Sequence, residues 1–280
     1  MTETLCFIGG GNMARSLIGG LIARGVAPTS IVVADTATAQ LDSLQHDFGV
    51  RVAADNASAA RQADIVILAV KPQYMREVVT GLAPALAAKP PLVISVAAGI
   101  RAGDIHRWSG GFPVVRCMPN RPALQGCGMT ALFATAAVSA DNRERAEKIL
   151  GAVGATLWVE QEAQMDAVTA VSGSGPAYFF LLIEMLEQAG VELGLPTDVS
   201  HRLAAETAYG SGCMARSASE SAATLRQQVT SKAGTTEAAI MHLEAHNVRA
   251  IFAGAVSAAA RRSAELADEF GNKAEKTGDQ

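Results

Sequence analysis

The sequence predicts an α/β fold in which a doubly wound parallel sheet occupies the N-terminal part and an all-α domain follows it. Up to about residue 160, short continuous apolar runs alternate with helical patterns. A parallel sheet covered by helices on both faces has this pattern. From Gln161 onward, helical patterns follow one another without a convincing strand. We expect domains at 1–160 and 161–270 and a polar, flexible tail at 271–280.

The N-terminal elements follow from apolar periodicity and from glycine breaks. Strands are predicted over the apolar runs at 4–8, 31–34, 64–70, 92–96 and 114–118. Helices are predicted at 12–24, where Gly25 follows as a stop signal, and at 37–47, with further helical segments between the later strands. The strands are therefore joined by helical crossovers, as in a doubly wound sheet.

The C-terminal part contains helical patterns only. They lie at 162–171, 177–193, 199–218, 222–228, 235–244 and 248–270. The breaks are Ser172–Pro176, Gly194–Pro196 and Thr230–Gly234. We interpret Ser172–Pro176 mainly as the bend that starts the central helix, and a direct role in a site is the weaker alternative. Ala177–Met185 is strongly apolar but short, which predicts a buried helix.

Composition narrows the class of protein. The chain has 280 residues and a net charge of −4, which argues against a nucleic-acid partner. Its four cysteines lack CxxC spacing, so neither a metal set nor a disulfide framework is expected. No signal peptide is recognisable, and no apolar run reaches the roughly 18 residues of a membrane span. These features predict a cytoplasmic protein without a membrane partner.

The first strand ends in a glycine turn that opens a helix. The pattern Gly9-x-Gly11-x-x-Ala14 is the Rossmann-like dinucleotide fingerprint, in which glycines permit a tight turn and close approach of the pyrophosphate. The predicted cofactor contacts in this turn are Gly9, Gly10, Gly11, Asn12 and Met13. The alternative is a plain glycine-rich turn, which the strand–turn–helix context makes the weaker reading.

An acidic residue ends the second predicted strand. Asp35 is placed to accept from the ribose 2′-OH of a dinucleotide and to repel a 2′-phosphate. No lysine or arginine occurs between Arg24 and Arg51, so the local charge favours NADH. Thr36 and Thr38 offer donors to a phosphate, so NADPH stays open. The alternative is that Asp35 is only a solvated loop residue.

Ligands of open α/β sheets bind outside the carboxyl ends of the strands. The further predicted cofactor contacts at such ends are Ala69, Val70, Lys71, Pro72 and Ala97. Pro72 turns the chain away from its strand and places Lys71 near the ribose and the nicotinamide. The small residues Val96–Gly99 allow a planar ring to approach closely.

The turn at 230–236 has the composition of a carboxylate site. Gly234 lets backbone N–H groups converge, and Thr235 and Thr236 open a helix whose N-terminus favours an anion. Ser231 and Thr236 add hydroxyl donors. The alternative is an ordinary capped helix start, with Glu237 nearby as the capping partner.

The histidines lie outside all these motifs. They are His46, His106, His201, His242 and His246. Reduction of a ketone by hydride needs a proton donor, commonly His, Lys or Tyr. A cyclic imine that arrives protonated needs none, so hydroxyls, backbone N–H groups and a cofactor suffice.

Several motifs together resemble the pyrroline-5-carboxylate reductases, which catalyse the last step of proline synthesis. The motifs are Val229-Thr230-Ser231, Gly234-Thr235-Thr236, Ala69–Gln73, Val115–Asn120 and Ser172–Tyr178. The resemblance covers nearly the whole chain. It implies reduction of 1-pyrroline-5-carboxylate to L-proline with NADPH or NADH, and a homodimer built by the helical domains that can assemble into a decamer of five dimers.

The resemblance also implies roles for individual residues. Ser231 and Thr236 become catalytic residues, and Glu162, Ser231, Gly234, Thr235 and Thr236 bind the substrate. Asn56 and Gln228 lie on the cofactor side. From the sequence itself, Asn56 reads equally well as a helix N-cap.

Two departures from the family pattern and two rival functions remain. The family usually has Pro-Gly in place of Lys232-Ala233 and Thr in place of Arg121, a residue that can equally point to solvent. A 3-hydroxyacid dehydrogenase would need an acid–base lysine, for which Lys232 is the only candidate in the helical part before the tail. The second rival is a dinucleotide-sensing protein without catalysis, against which the intact turn argues.

Overall fold

The computed structural model describes residues 3–272, and its first part is built on an eight-stranded sheet. The strands are β1 Leu5–Ile8, β2 Ile31–Ala34, β3 Arg51–Val52, β4 Ile65–Leu68, β5 Leu92–Ser95, β6 Val114–Met118, β7 Gly128–Ala134 and β8 Gly154–Trp158. Their order is β3-β2-β1-β4-β5-β6-β7-β8, and all neighbours are parallel except β6 and β7. The strand order reverses beside β1, which opens a ligand crevice there. The predicted doubly wound sheet is confirmed.

Helices cover both faces of this sheet. They are α1 Asn12–Ala23, α2 Thr38–Phe48, α3 Asn56–Ala60, α4 Met75–Leu86, α5 Ala102–Trp108, α6 Ala140–Leu150 and α7 Gln164–Val168. In β1, Phe7 packs in one core with Leu17 of α1, whereas Ile8 packs in the other core with Val79 of α4. Successive side chains of a strand point to opposite faces, so both faces must be apolar, as the continuous runs predict.

Three strands were not predicted, and two of them have no continuous apolar run. β2 and β6 have the predicted bounds, whereas β3, β7 and β8 are additional. β3 has two residues, too few for a pattern. β8 forms one edge of the sheet, and its residues alternate between half-buried and exposed. Such strands depend on pairing with a neighbour more than on their own composition.

The second part of the chain is helical, as predicted. The helices are α8 Gly175–Glu192, α9 Thr197–Ser217, α10 Ala222–Gln228, α11 Thr235–Ala245 and α12 Val248–Asn272. A π-helical turn at Thr169–Gly173 separates α7 from α8. Pro176 stands in the first turn of α8, where its missing N–H is not needed. The predicted bend at Ser172–Pro176 is present.

The chain forms two compact units. The first runs up to Gly173 and resumes at Ala259, and the second runs from Ser174 to Ala258. Helix α12 therefore belongs to both. It continues through Gly271 and Asn272, which we expected in the tail. The rest of the expected tail, 273–280, lies outside the described residues.

The second unit leaves large apolar side chains in solvent. Phe179 and Phe180 of α8 are 66% and 61% exposed, and Met185 is 50% exposed. The expectation of a buried helix at Ala177–Met185 is therefore wrong for the single chain, because the few neighbouring helices do not enclose α8. By length and composition alone, the helical stretch Gln164–Glu192 would suffice to cross a membrane, with a mean hydropathy of 1.2 in its most apolar window. That corrects the expectation that no run reaches this length.

Candidate active site

The glycine turn after β1 has the geometry that the fingerprint predicts. Gly9 has φ +99°, and a Cβ there would lie 2.6 Å from the carbonyl oxygen of Ala69. Gly11 is the N-cap of α1 and forms no side-chain cap among the described residues. No heavy atom would lie within 4 Å of a Cβ at Gly11, and Asn12 is exposed. The first N–H groups of α1 are thus open to an anion.

The carboxylate of Asp35 is joined to this turn. Its Oδ2 accepts from the backbone N–H of Gly10 at 2.6 Å, and its Oδ1 accepts from the N–H of Ala37 at 2.8 Å. Asp35 is half-buried at the end of β2. It is therefore a fixed negative charge beside the glycine turn, not a freely solvated loop residue.

A cleft of about 790 Å³ lies at the carboxyl ends of β1, β2 and β4. The predicted cofactor residues that line it are Gly9, Gly11, Asp35, Thr36, Asn56, Ala69, Val70 and Lys71. Gln40, Tyr74 and Glu77 also line it and were missed. They belong to the helical turns that follow the second and fourth strands. Because ligands bind at the carboxyl ends of strands, this position could have identified them from the sequence.

The N-terminus of α3 decides between the two readings of Asn56. The N-cap is Asp55, whose Oδ1 accepts from the N–H of Ser58 at 2.8 Å. Asn56 is the first helical residue, and it faces the cleft. The interpretation of Asn56 as the cap is therefore wrong.

The loop after β5 is tight and mostly buried. Ala97 is 7% exposed, and Gly99 has φ +73°. Ser95, at the end of β5, pairs with Leu68, at the end of β4, so the loop leaves the sheet next to the strand that leads to Lys71. This is the edge of the sheet at which ligands bind.

The segment after β6 is held by a side-chain amide. Asn120 donates through Nδ2 to the carbonyl oxygen of Ser172 at 3.2 Å, and its Oδ1 accepts from the N–H of Met129 at 2.9 Å. The neighbouring Arg121 is exposed, so its side chain points to solvent. Asn120 thus fixes the end of β6 to the π-helical turn, in support of an architectural role for Ser172.

Glu162 is engaged by two donors within the first unit. Its Oε1 accepts from the backbone N–H of Ala102 at 2.6 Å and from Nη1 of Arg116 at 3.0 Å. The Arg116 side chain is 4% exposed. Sequence reasoning named Glu162 but gave no sign of these partners, which lie far from it along the chain.

In the second unit, the turn before α11 is held by a side chain of that helix. Ala233 has φ +58°, and its N–H donates to Oε2 of Glu237 at 2.6 Å. Gly234 is the N-cap, and a Cβ there would lie 2.4 Å from Oγ of Ser231. Thr236 is half-buried in the first turn. Gly234 therefore allows the Ser231 hydroxyl to lie against the start of α11.

Three further residues in or just before this turn are open to solvent. Thr235, Lys232 and Gln228 are exposed, and Gln228 is the last residue of α10. The first turn of α11 has no side-chain N-cap among the described residues. Its leading N–H groups are available to a carboxylate.

The buried cysteines are unsuited to chemistry. Burial raises the pKa of the Cys6 thiol to about 12 and places that of Cys117 higher still. Both therefore stay as neutral thiols that pack in the core. Within residues 3–272, no cluster of His, Cys, Asp and Glu side chains could hold a metal ion.

Two family models match the chain. The one described as pyrroline-5-carboxylate reductase dimerisation matches residues 162–266. The one described as NADP oxidoreductase, coenzyme F420-dependent, matches residues 4–99. The first covers most of the helical part, and the second covers the glycine turn, Asp35 and the start of the loop after β5.

Whole-length relatives agree with the first model. A pyrroline-5-carboxylate reductase of Pseudomonas aeruginosa is 49% identical over 272 residues, 96% of this chain and 99% of that protein. One from Synechocystis is 42% identical, over 95% of this chain and 99% of its own length.

Solved structures show the same relationship. A pyrroline-5-carboxylate reductase from Coxiella burnetii has a TM-score of 0.91 at 42% identity, over 95% of this chain and 99% of that one. The Plasmodium falciparum enzyme, solved with NADP bound, has a TM-score of 0.82 at 27% identity, over 95% and 98%. A Mycobacterium tuberculosis 3-hydroxyisobutyrate dehydrogenase, at 17% identity and a TM-score of 0.54, shares the fold alone. Across both its sheet and its helices, this chain belongs to the pyrroline-5-carboxylate reductase family.

Proposed function

We propose that this chain reduces the C=N bond of 1-pyrroline-5-carboxylate to give L-proline, with a hydride taken from NADPH or NADH. The observation that carries the proposal is the glycine-lined cleft, in a chain similar to such reductases over 96% of its length. The cleft supplies a cofactor site, and the turn before α11 supplies a carboxylate site. The two together suit a small acidic imine.

The residues of the cleft fit a nicotinamide dinucleotide. A volume of about 790 Å³ is in the range of ligand pockets, and only glycine fits at Gly9. The N–H groups of Asn12 and Met13 would face the pyrophosphate. Asp35 and Thr36 would hold the adenosine ribose, with Lys71 towards the nicotinamide. The bound cofactor supplies the hydride, and the protein supplies orientation.

The substrate carboxylate is assigned to the turn before α11. The N–H groups of Thr235 and Thr236 lie in the first helical turn, where the helix dipole favours a negative charge. The hydroxyls of Ser231 and Thr236 add donors. We keep Gln228, at the end of α10, as a cofactor-side residue and Gly234 as the residue that shapes the turn.

The proton balance suits an imine. A protonated C=N carbon accepts hydride and becomes an amine without a proton transfer from the protein. The five histidines lie outside the cleft lining, and His106 uses its Nδ1 to bond the Phe112 carbonyl oxygen at 2.7 Å. Ketone reduction would need such an acid at the reacting carbon. The cleft lining does include Lys71 and Tyr74, so the preference for an imine rests on the similarity to pyrroline-5-carboxylate reductases and not on the lack of a donor.

The second unit supports an oligomer. Its exposed apolar side chains on α8 form a surface that soluble monomers rarely leave open. A family model described as dimerisation covers these helices. We propose a cytoplasmic homodimer, with a decamer of five dimers as the larger assembly. In this arrangement α8 packs against the partner chain and not in a membrane.

The test is oxidation of NADH or NADPH by the purified full chain with 1-pyrroline-5-carboxylate, and L-proline is identified by mass spectrometry. We expect turnover with the imine and none with 3-hydroxy acids and oxidised cofactor. Turnover with a 3-hydroxy acid alone would identify a dehydrogenase. Cofactor binding without turnover of either substrate would identify a dinucleotide-sensing protein.

A further inference from the structure

An ion pair between a buried and a half-buried side chain in the first unit is not used by the proposed reaction. Arg116 lies in the middle of β6, between Val115 and Cys117, which are both 0% exposed. Its guanidinium donates to Glu162 at 3.0 Å, and the two side chains are 4% and 24% exposed. The same carboxylate oxygen accepts from the N–H of Ala102, the first residue of α5, at 2.6 Å. One oxygen therefore joins two separate segments.

Stability alone does not explain this arrangement. The free-energy cost of removing two charges from water offsets their mutual attraction. Apolar residues of similar volume in place of such a pair often give equal stability. Removal of one partner alone is harmful because the other stays buried without a counter-charge. A buried pair that joins distinct segments can instead be retained for the geometry that it fixes. The identity of those segments then decides its role.

One segment is the loop Val96–Arg101 between β5 and α5. Its middle is backed by α12, since a Cβ at Gly99 would lie 3.4 Å from the ring of Phe270. Its end is held twice: Arg101 donates to Asp268 at 2.6 Å, and the next N–H along the chain donates to Glu162. This loop carries Ala97, the expected wall for the nicotinamide. The other segment is β6, which leads to Asn120.

We infer that Glu162 is a positioning residue for the loop Val96–Arg101 and not a ligand of the substrate. Its carboxylate fixes the end of this loop against Arg116 of β6, and the loop in turn fixes the wall on which the nicotinamide rests. The inference rests on the proposed function, because it takes Ala97 as part of the nicotinamide site. It replaces the substrate role that family resemblance implies for Glu162.

The first test measures cofactor binding, without the imine. Glu162→Leu should weaken NADH binding about tenfold, which corresponds to the loss of one hydrogen bond to a charged group. ADP-ribose, which lacks the nicotinamide, should bind within twofold of the wild type. Glu162→Gln keeps an oxygen for the Ala102 N–H and for Arg116 but removes the counter-charge, so it should bind ADP-ribose like the wild type and NADH more tightly than Glu162→Leu does. Equal binding of NADH by all three proteins would overturn the inference.

The second test is steady-state kinetics with the imine. If Glu162 positions the loop, Glu162→Leu lowers kcat about tenfold and leaves the imine KM within threefold, while Glu162→Gln lowers kcat less than Glu162→Leu does. A carboxylate that contacts a cationic imine gives another result: both variants raise the imine KM about tenfold. That result would overturn the inference. Absence of imine turnover in the wild type would overturn the proposed function, while the NADH and ADP-ribose comparison would still decide the role of Glu162.

A double variant covers the case in which Glu162→Leu does not fold. Arg116→Met with Glu162→Leu removes both charges, so that neither is left buried alone. The Ala102 N–H still lacks its acceptor. We expect a folded protein with the same selective loss of NADH binding. A folded double variant that binds NADH like the wild type would show that the pair serves packing only.

Discussion

The backbone N–H of Ala233 donates to the carboxylate of Glu237 at 2.6 Å, and this contact holds Ala233 at φ +58°. Side chains with a Cβ disfavour this left-handed region, which glycine enters freely. The family resemblance implies glycine at this position. This chain therefore forms a left-handed turn with a residue that strains it.

Glycine at this position should stabilise the protein. We expect Ala233→Gly to raise the free energy of unfolding by about 1 kcal/mol, because relief of about 1–2 kcal/mol of strain outweighs glycine's entropy cost. The measurement is urea unfolding at a fixed protein concentration. Ala239→Gly, in the exposed interior of α11, is the matched control and should lower stability by about 1 kcal/mol. Equal destabilisation by both substitutions would contradict the strain.

Asp35 should set the choice of cofactor. Asp35→Ser is expected to raise kcat/KM for NADPH relative to NADH about tenfold, because a fixed carboxylate repels a 2′-phosphate. Asp35→Asn keeps an oxygen that can accept from the Gly10 N–H but removes the charge. It therefore distinguishes the effect of the charge from an effect on the shape of the loop. Asp42→Ser, on the exposed side of α2, controls for net charge. An unchanged ratio in Asp35→Ser would remove Asp35 from the ribose site.

The turn before α11 should act on the substrate and not on the fold. Thr236→Ala is expected to lower kcat/KM for the imine roughly ten- to hundredfold, since a hydrogen bond to a charged group contributes about 1.5–3 kcal/mol. Ser231→Ala should behave similarly, and the two losses should not add if both hydroxyls hold one carboxylate. Cofactor affinity, measured separately, should stay constant. If both variants keep kcat/KM within twofold, the turn is only a helix start.

The carboxylate of Asp64 should contribute to stability above acid pH. It accepts from the Thr4 N–H at 3.0 Å and from Lys89 Nζ at 2.9 Å, and these contacts lower its pKa, the Thr4 bond most. Its contribution is fully present above the ordinary Asp pKa of about 4 and is lost as pH falls through the lowered value. Between about pH 5 and pH 8, Asp64→Asn should therefore be less stable than the wild type by a constant amount. Unfolding curves should show the difference shrink below about pH 4. A gap that persists there would point to packing and not to charge.

The exposed face of α8 should control assembly. Light scattering of the wild type at micromolar concentration should show a dimer or larger species. Phe179→Asp should shift it towards the monomer, because a charge would be buried in an apolar interface. Leu124→Asp, on an exposed residue of the first unit, should leave the mass unchanged. A wild-type monomer that binds lipid vesicles would instead identify α8 as a membrane contact.

The sequence predicts elements best where composition and environment agree. Ile31–Ala34 is buried on both faces, so a continuous apolar run marks its bounds. Val114–Met118 is also largely buried and has the predicted bounds, although Arg116 interrupts its apolar run. Gly9 is equally readable, because close approach to Ala69 permits only glycine. In contrast, Arg51–Val52 and Gly154–Trp158 are strands by pairing alone. Local pattern cannot reveal them.

Parts of the site were hidden for another physical reason. The contact of Glu162 with Arg116 joins residues 46 positions apart, and no periodicity encodes such a pair. Asn56 and Asp55 are both good N-cap residues, so only backbone geometry separates them. The exposed helix at Ala177–Met185 has the composition of a core helix. The sequence of an apolar helix face is the same whether the face packs inside its own chain or against another chain.

Helix α12 determines which parts of the chain must be kept together when the protein is truncated or recombined. The helix starts at Val248 in the second unit, yet its last turns return to the first, where Ser263 donates to Asp166 at 2.7 Å. A fragment that stops at Gly173 would therefore lose the backing of Gly99 and Arg101. The first unit is therefore assembled from two separate stretches of the chain. Recombination that exchanges cofactor specificity between relatives must carry the C-terminal codons along with the N-terminal ones.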